Sequence, residues 1–260
     1  MTPPRVPVMM GPVDIETARR ALSAEIRVHG TPEGNPWLQH YSGSPVRVLG
    51  LSTPVLREIR KRFVREHRDW NATSVNALTN ALWNGDVLEE KMLAIELLVA
   101  YRHVLVTDSW RMVDRWVDTA VGWALCDALG SGPIAEMAYG TPARFRELLR
   151  WTRSTTFWRR RVSTYALRTW VRARDLDRPF QLLERLLYDP EFWVQRAVGT
   201  WLRECWKVDP RRTAAFLRTH AKGLPRVTIT VATERAPKGF RQELRRRAGP
   251  APKARGRPVR

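Results

Sequence analysis

Apolar residues recur at three-and-four spacing through most of this chain. The clearest segments are VLEEKMLAIELLVAYR (87–102), SWRMVDRWVDTAVGWALCDAL (109–129), FWRRRVSTYALRTWV (157–171) and FWVQRAVGTWLREC (192–205). That period puts an apolar stripe on one side of each helix and predicts an all-α protein. Punctuation separates the helices. Ser52-Thr53-Pro54, Gly130-Ser131-Gly132-Pro133, Gly140-Thr141-Pro142, Asp189-Pro190, Asp209-Pro210 and Gly223-Leu224-Pro225 combine helix stops with N-cap residues and early-helix prolines. RVTITVAT (226–233) is dominated by β-branched residues and alternates with period two. It is assigned nonetheless as the helix of a terminal repeat.

The helical segments are copies of one another. Trp123, Trp158 and Trp193 fall 35 residues apart, and FWRRRVSTYALR (157–168) matches FWVQRAVGTWLR (192–203) in Phe, Trp, Arg, Leu and Arg. One step back, GWALCDAL (122–129) keeps the tryptophan, puts Cys126 in the arginine's place and adds Asp127; a further step reaches VLEEKMLAIELL (87–98). A period of about 20–50 residues signals stacked units, each too small to bury its own apolar face. The expected architecture is a solenoid of tandem HEAT-like helical repeats with a concave basic surface. The repeat domain is expected over residues 14–247, between a flexible Pro-rich N-terminus (1–13) and a disordered basic tail (248–260).

Charge narrows the class of partner. The chain carries +19 overall, and residues 144–260 hold 30 Lys/Arg against 10 Asp/Glu, whereas residues 1–143 hold 15 against 16. A basic, arginine-dominated half implies a polyanion held through planar phosphate contacts. Nucleic acid is the expected partner, and a monomer the expected state. No apolar run reaches the roughly 18–20 residues that span a bilayer, and the N-terminal MTPPRVPVMMGPVD lacks a signal-peptide pattern. A cytoplasmic protein with no membrane partner is expected. Two cysteines make no disulfide framework, and no CxxC or HExxH pattern suggests a metal site. No metal is expected.

Trp123 and Asp127, four residues apart on a helical pattern, share a face one turn apart. Arg161 holds nearly the equivalent place in the next repeat. Since equivalent positions of stacked repeats line up, an acid, an arginine and several tryptophans would meet on one surface. The alternative is that Trp123 and Trp158 belong to the repeat core while Asp127 is a surface or helix-terminal acid neutralised by arginine. Periodicity alone does not choose between these.

In order and spacing, LGLSTPVLREIRK (49–61), LW (82–83), the 109–129 segment, FWRRR, FWVQRAVGTWLREC and LPRVTITVATER (224–235) resemble the AlkD-like DNA glycosylases of alkylation repair, built of HEAT-like repeats. The resemblance covers roughly residues 45–240. It implies base excision repair by hydrolysis of the N-glycosidic bond of cationic N3- or N7-alkylpurines in duplex DNA, without cofactor and without flipping the base. It makes Trp123 and Asp127 the family's W-x-x-x-D pair and Arg161 its arginine. The carboxylate would stabilise the oxocarbenium-like sugar and help position water. Arg160, Arg161, Trp158, Arg203, Trp201 and Arg57 are then candidate DNA-binding residues. Arg203 could equally pair with Asp209 or Glu204, and Arg57 could sit on a solvated face.

One position departs from the family. Its second sugar-packing tryptophan aligns with Thr200, and Trp201 lies one residue, or about 100 degrees of helix, away. That leaves open a non-catalytic HEAT-repeat protein that binds damaged or branched DNA, or a helical scaffold for an acidic protein. The five histidines are dispersed, and Cys126 is read as a small buried residue.

Overall fold

The computed structural model describes residues 14–249. The Pro-rich segment 1–13 and residues 250–260 of the expected tail lie outside the described residues. The chain forms two compact units. Apart from an isolated bridge between Arg47 and Val87, the described residues pair no extended backbone, and the chain is all-helical as the periodicity predicts.

The first unit comprises residues up to His40 and Val46–Met112. Its helices are α1 (Ile15–His29), α2 (Pro36–Ser42), α3 (Thr53–Glu66), α4 (Ala72–Trp83) and α5 (Leu88–Ala100), and α6 (Thr107–Thr119) begins in it. Ser52 precedes α3 as its N-cap residue with Pro54 in the first turn, as the Ser-Thr-Pro signal predicts. Ile26, Ile59, Leu78, Leu82, Leu93 and Leu97 fill the core. The buried Glu89 carboxylate accepts from the backbone N–H groups of Leu49, Gly50 and Leu51, tying that loop to α5.

The second unit holds residues 41–45 and the chain from Val113 onward. It contains α7 (Trp123–Leu129), α8 (Ala135–Ala138), α9 (Pro142–Trp151), α10 (Phe157–Tyr165), α11 (Arg168–Arg172), α12 (Asp177–Glu184), α13 (Phe192–Val208), α14 (Pro210–Thr219), α15 (Arg226–Ala232) and α16 (Lys238–Ala248). The helices that carry the sequence repeat pack in chain order, α7 on α10, α10 on α13 and α13 on α15. RVTITVAT is helical over Arg226–Ala232. Thr228, Ile229 and Ala232 are buried, and Thr228 Oγ1 donates to the Gln195 carbonyl of α13, so packing overrides β propensity there.

Three glycines set how closely these helices approach. Gly122, just before α7, has φ of +91°, and a Cβ there would meet the Gly43 carbonyl oxygen at 2.4 Å; only glycine fits both conditions. A Cβ on Gly130 would come within 2.6 Å of Tyr165 Cβ and 2.8 Å of the Val162 carbonyl oxygen, and one on Gly199 within 2.8 Å of Val231 Cβ. The Gly130-Ser131-Gly132-Pro133 signal differs from expectation. Instead of ending the helix it forms a π turn over Gly130–Ile134 that runs into α8, with Gly132 outside helical geometry. Pro133 lacks an N–H and so favours a kink over a regular turn.

Gly130 has helical backbone angles, so propensity alone makes Gly130→Ala favourable by about 1 kcal/mol. The close contact with α10 reverses the sign. Urea denaturation of Gly130→Ala is expected to show a net loss of roughly 1–3 kcal/mol, and a gain in stability would contradict the tight α7–α10 approach.

Candidate functional site around Asp127

Asp127 stands near the C-terminal end of α7, immediately before the π turn, and Ser131 Oγ donates to its carbonyl at 2.6 Å. Its carboxylate meets Arg161 of α10 in a fork. Nε donates to Oδ1 at 2.7 Å and Nη2 to Oδ2 at 2.8 Å, while Nη1 donates to the Trp193 carbonyl of α13 at 2.5 Å. One guanidinium thus joins three successive repeat helices. The Arg161 side chain is 5% exposed and that of Asp127 17%, so the pair is largely dry and Asp127 keeps a small exposed area.

Tyr165, one turn after Arg161, completes the cluster. Its hydroxyl accepts from Arg161 Nη2 at 3.2 Å and stands near enough to the Asp127 carboxylate to favour its ionised form. A phenol has one proton, and the Asp127 carboxylate is the acidic group beside it. Burial pushes the Asp127 carboxyl above the ordinary carboxylate range, against the opposing pull of Arg161 and Tyr165. Burial works against the Arg161 charge, but its hydrogen bonds to Asp127 and the charge of that carboxylate hold the guanidinium protonated, whereas burial and the Asp127 charge together keep the Tyr165 hydroxyl protonated. Cys126, beside Asp127, is buried and its thiol pushed far up, so it is inert packing as expected.

Trp123 opens α7 on the helix that carries Asp127. Its indole N–H donates to the Tyr41 carbonyl at 2.5 Å, with the Tyr41 ring edge-on at 5.3 Å. Trp158 and Trp193 lie 6.1 Å apart between centroids, and all three tryptophans are only partly buried. They are not core residues. The second half of the alternative reading does hold: Asp127 is paired with an arginine, although in a desolvated site and not on the surface.

The residues expected to contact DNA stand in different surroundings. Arg161 is buried with its donors engaged, which makes it the partner of the carboxylate and not an open phosphate ligand. Arg160 forks onto the buried Asp189 at 2.6 and 3.1 Å and caps the Ser154 carbonyl at 2.8 Å. Trp201 is buried and edge-on to Tyr165 at 5.7 Å, turned away from the face that Thr200 occupies. Arg203 pairs with Glu204, as one alternative held, and also with Glu234. Asp209 instead caps α14. Arg57 is exposed on α3 in the first unit. Sequence reasoning missed Tyr165; its signal was the four-residue spacing from Arg161, which puts both on one face.

Among the described residues no group of histidine, cysteine and acidic side chains is arranged to hold a metal ion, and no helix is long and apolar enough to cross a membrane. A family model described as "DNA alkylation repair enzyme" matches residues 22–236. No curated protein shows significant similarity to the chain. Among solved structures, a "predicted DNA alkylation repair enzyme from Enterococcus faecalis" is similar with a TM-score of 0.70 at 16% identity, covering 81% of this chain and 98% of that one. AlkD2 from Streptococcus mutans is similar with a TM-score of 0.55 at 16% identity, covering 76% and 95%. At these identities the likeness is one of fold.

Removing one member of a buried pair strands the other's charge. Arg161→Ala is therefore expected to cost about 3–5 kcal/mol of unfolding free energy, read by chemical denaturation. The salt dependence of duplex binding is expected to keep its wild-type slope. A flattened slope at unchanged stability would return Arg161 to the phosphate backbone.

Proposed function

The chain belongs to the DNA alkylation repair enzyme family, and we propose that it is a DNA N-glycosylase of base excision repair that hydrolyses the N-glycosidic bond of cationic N3- or N7-alkylpurines in duplex DNA, without drawing the base into a pocket. The observation that carries this reading is the Asp127 carboxylate, fixed by the Arg161 fork near a helix end on a side chain that stays partly exposed. An alkylated purine cation is already a good leaving group. As the C1′–N bond breaks, its electron pair neutralises the purine and positive charge develops on the sugar. Water adds at C1′ and releases a proton, leaving free base and an abasic site.

The step needs a negative charge held beside the sugar before reaction, since a preorganised ion in a dry site is worth more than one in water. A carboxylate offers about four lone-pair directions. Arg161 uses two, and the others are available to the sugar and the attacking water. The partly exposed Trp123, Trp158 and Trp193 supply flat apolar surface for sugar and backbone. Thr200, standing where the family has a tryptophan, supports the second reading, a non-catalytic protein for damaged or branched DNA. Release of free base decides between them.

The test is single-turnover release of N7-methylguanine or N3-methyladenine from duplex DNA. Asp127→Asn, which keeps an acceptor for Arg161, is expected to retain binding and lose about 100-fold or more in excision. Uracil and hypoxanthine, neutral leaving groups, are expected to stay in the DNA. Unchanged excision in Asp127→Asn would remove its role; no release by the wild type would favour the binding protein.

The reaction requires ionised Asp127. Because burial raises its pKa, kcat/KM is expected to fall with decreasing pH at a midpoint above the ordinary aspartate value of 3.8. Tyr165→Phe removes a donor to the ionised form, so the acid limb moves to still higher pH and the neutral-pH rate drops about tenfold, the worth of one hydrogen bond near 1.4 kcal/mol. An acid limb that stays in place would make Tyr165 mere packing.

A further inference from the structure

The family match ends at residue 236, and α16 lies beyond it. This helix, KGFRQELRRRA, carries five basic residues and one acid, Glu243. Glu243 is taken by Arg218 of α14 and by Arg247. On another side, Arg241 donates to the Thr233 hydroxyl at 2.8 Å and to the Thr233 carbonyl at 2.9 Å, and Arg245 Nη2 donates to the exposed Thr230 hydroxyl at 3.2 Å. Arg241 is thereby spent on the end of α15. Arg245 keeps most of its donors, and Arg226, exposed at the start of α15, lies one turn before Thr230 on the same face.

This cluster lies at the far end of the row of helices that begins with α7. Tyr165 of α10 stands edge-on to Trp201 of α13. Gly199 of the same helix lies against Val231 of α15, and Gln195 accepts from Thr228. One turn before Thr200 stands Arg196, exposed, with its guanidinium over the Phe192 ring at 5.8 Å. No carboxylate pairs with Arg196, Arg226 or Arg245 among the described residues. Arginines alternating with threonine hydroxyls are donors suited to phosphate oxygens.

We propose that Arg196, Arg226 and Arg245 form a second contact with the sugar-phosphate backbone of duplex DNA, with α15 and α16 extending the footprint away from Asp127. This rests on the DNA-binding part of the proposed function and not on its chemistry. From α10 to α16 there are three helix spacings, roughly 25–30 Å. That is about eight base pairs at 3.4 Å each. The contact therefore holds undamaged flanking duplex and reads no lesion.

The test measures binding of the full chain to an undamaged 24-base-pair duplex (a length about three times that span) as salt is varied. Replacing Arg226→Gln together with Arg245→Gln is expected to weaken binding and reduce the log–log salt slope by about 1.8, two contacts at 0.9 each. Arg246→Gln with Arg247→Gln removes the same charge from α16 and is expected to leave the slope near wild type. Equal losses in both double variants would reduce the effect to net charge and overturn the proposal, as would an unchanged slope in the first. Binding of polyglutamate with the same dependence on Arg226 and Arg245 would assign the surface to an acidic protein instead. No excision is measured, so an inactive wild-type protein leaves this result intact. Arg245→Lys separates folding from contact: it is expected to keep most of the slope.

Discussion

The fork between Arg161 and Asp127 is the constraint around which the second unit is arranged. Burying a carboxylate costs several kcal/mol unless its charge and lone pairs are met, and here one guanidinium meets both oxygens and then the Trp193 carbonyl. For that reach to work, α7 must approach α10 closely, which Gly130 allows. The start of α7 must also turn against the 41–45 segment, which Gly122 allows. The pair therefore explains sequence choices at both ends of α7 as well as the arginine on α10.

The repeat shows what happens to the same arginine when no acid opposes it. Arg196 is the copy of Arg161 one period later. The residue one period after Asp127 is Val162, fully buried, so α10 offers Arg196 no carboxylate. Arg161 is accordingly drawn into the interior between repeats, whereas Arg196 stays at the surface. A single substitution in one repeat thus converts the next repeat's exposed cation into an internal strut, and it creates a preorganised anion at the same time.

That coupling marks the limit of what sequence could say. Helix content, the 35-residue period, the Ser52-Thr53-Pro54 start of α3 and the meeting of Asp127 with Arg161 all follow from spacing and helix-start signals, whereas the helical 226–232 stretch follows from its place in the repeat against its own period-two pattern. The role of Arg161 did not, because spacing gives the face of a helix but not whether a guanidinium there is consumed by its neighbour or left for a partner. The pairing of Arg160 was hidden for the same reason: Asp189 lies 29 residues away in sequence and is buried at the opening of the next repeat. Trp201 was limited by rotation alone, since one residue's displacement from Thr200 carries the ring from the surface to the core. Tyr165 escaped notice because aromatic residues at helical spacing are ordinarily core, and only its hydroxyl partners distinguish it.

Net charge is therefore a poor guide to where DNA lies on this protein. Much of the positive charge in the basic half is neutralised locally: Arg159 by Asp114 and Asp118, Arg160 by Asp189, Arg161 by Asp127, Arg203 by Glu204 and Glu234, Arg212 by Asp177 and Arg218 by Glu243. These pairs fasten helices and contribute little outward field. The outward field comes from arginines whose neighbours offer only hydroxyls or rings, and Arg196, Arg226 and Arg245 meet that description on adjoining helices. An unpaired exposed arginine keeps its donors for a phosphate at little desolvation cost, whereas a buried fork must be broken first. The same pairing rule that makes Asp127 a fixed internal anion therefore sorts the cations around it, leaving those farther along the row to hold the duplex.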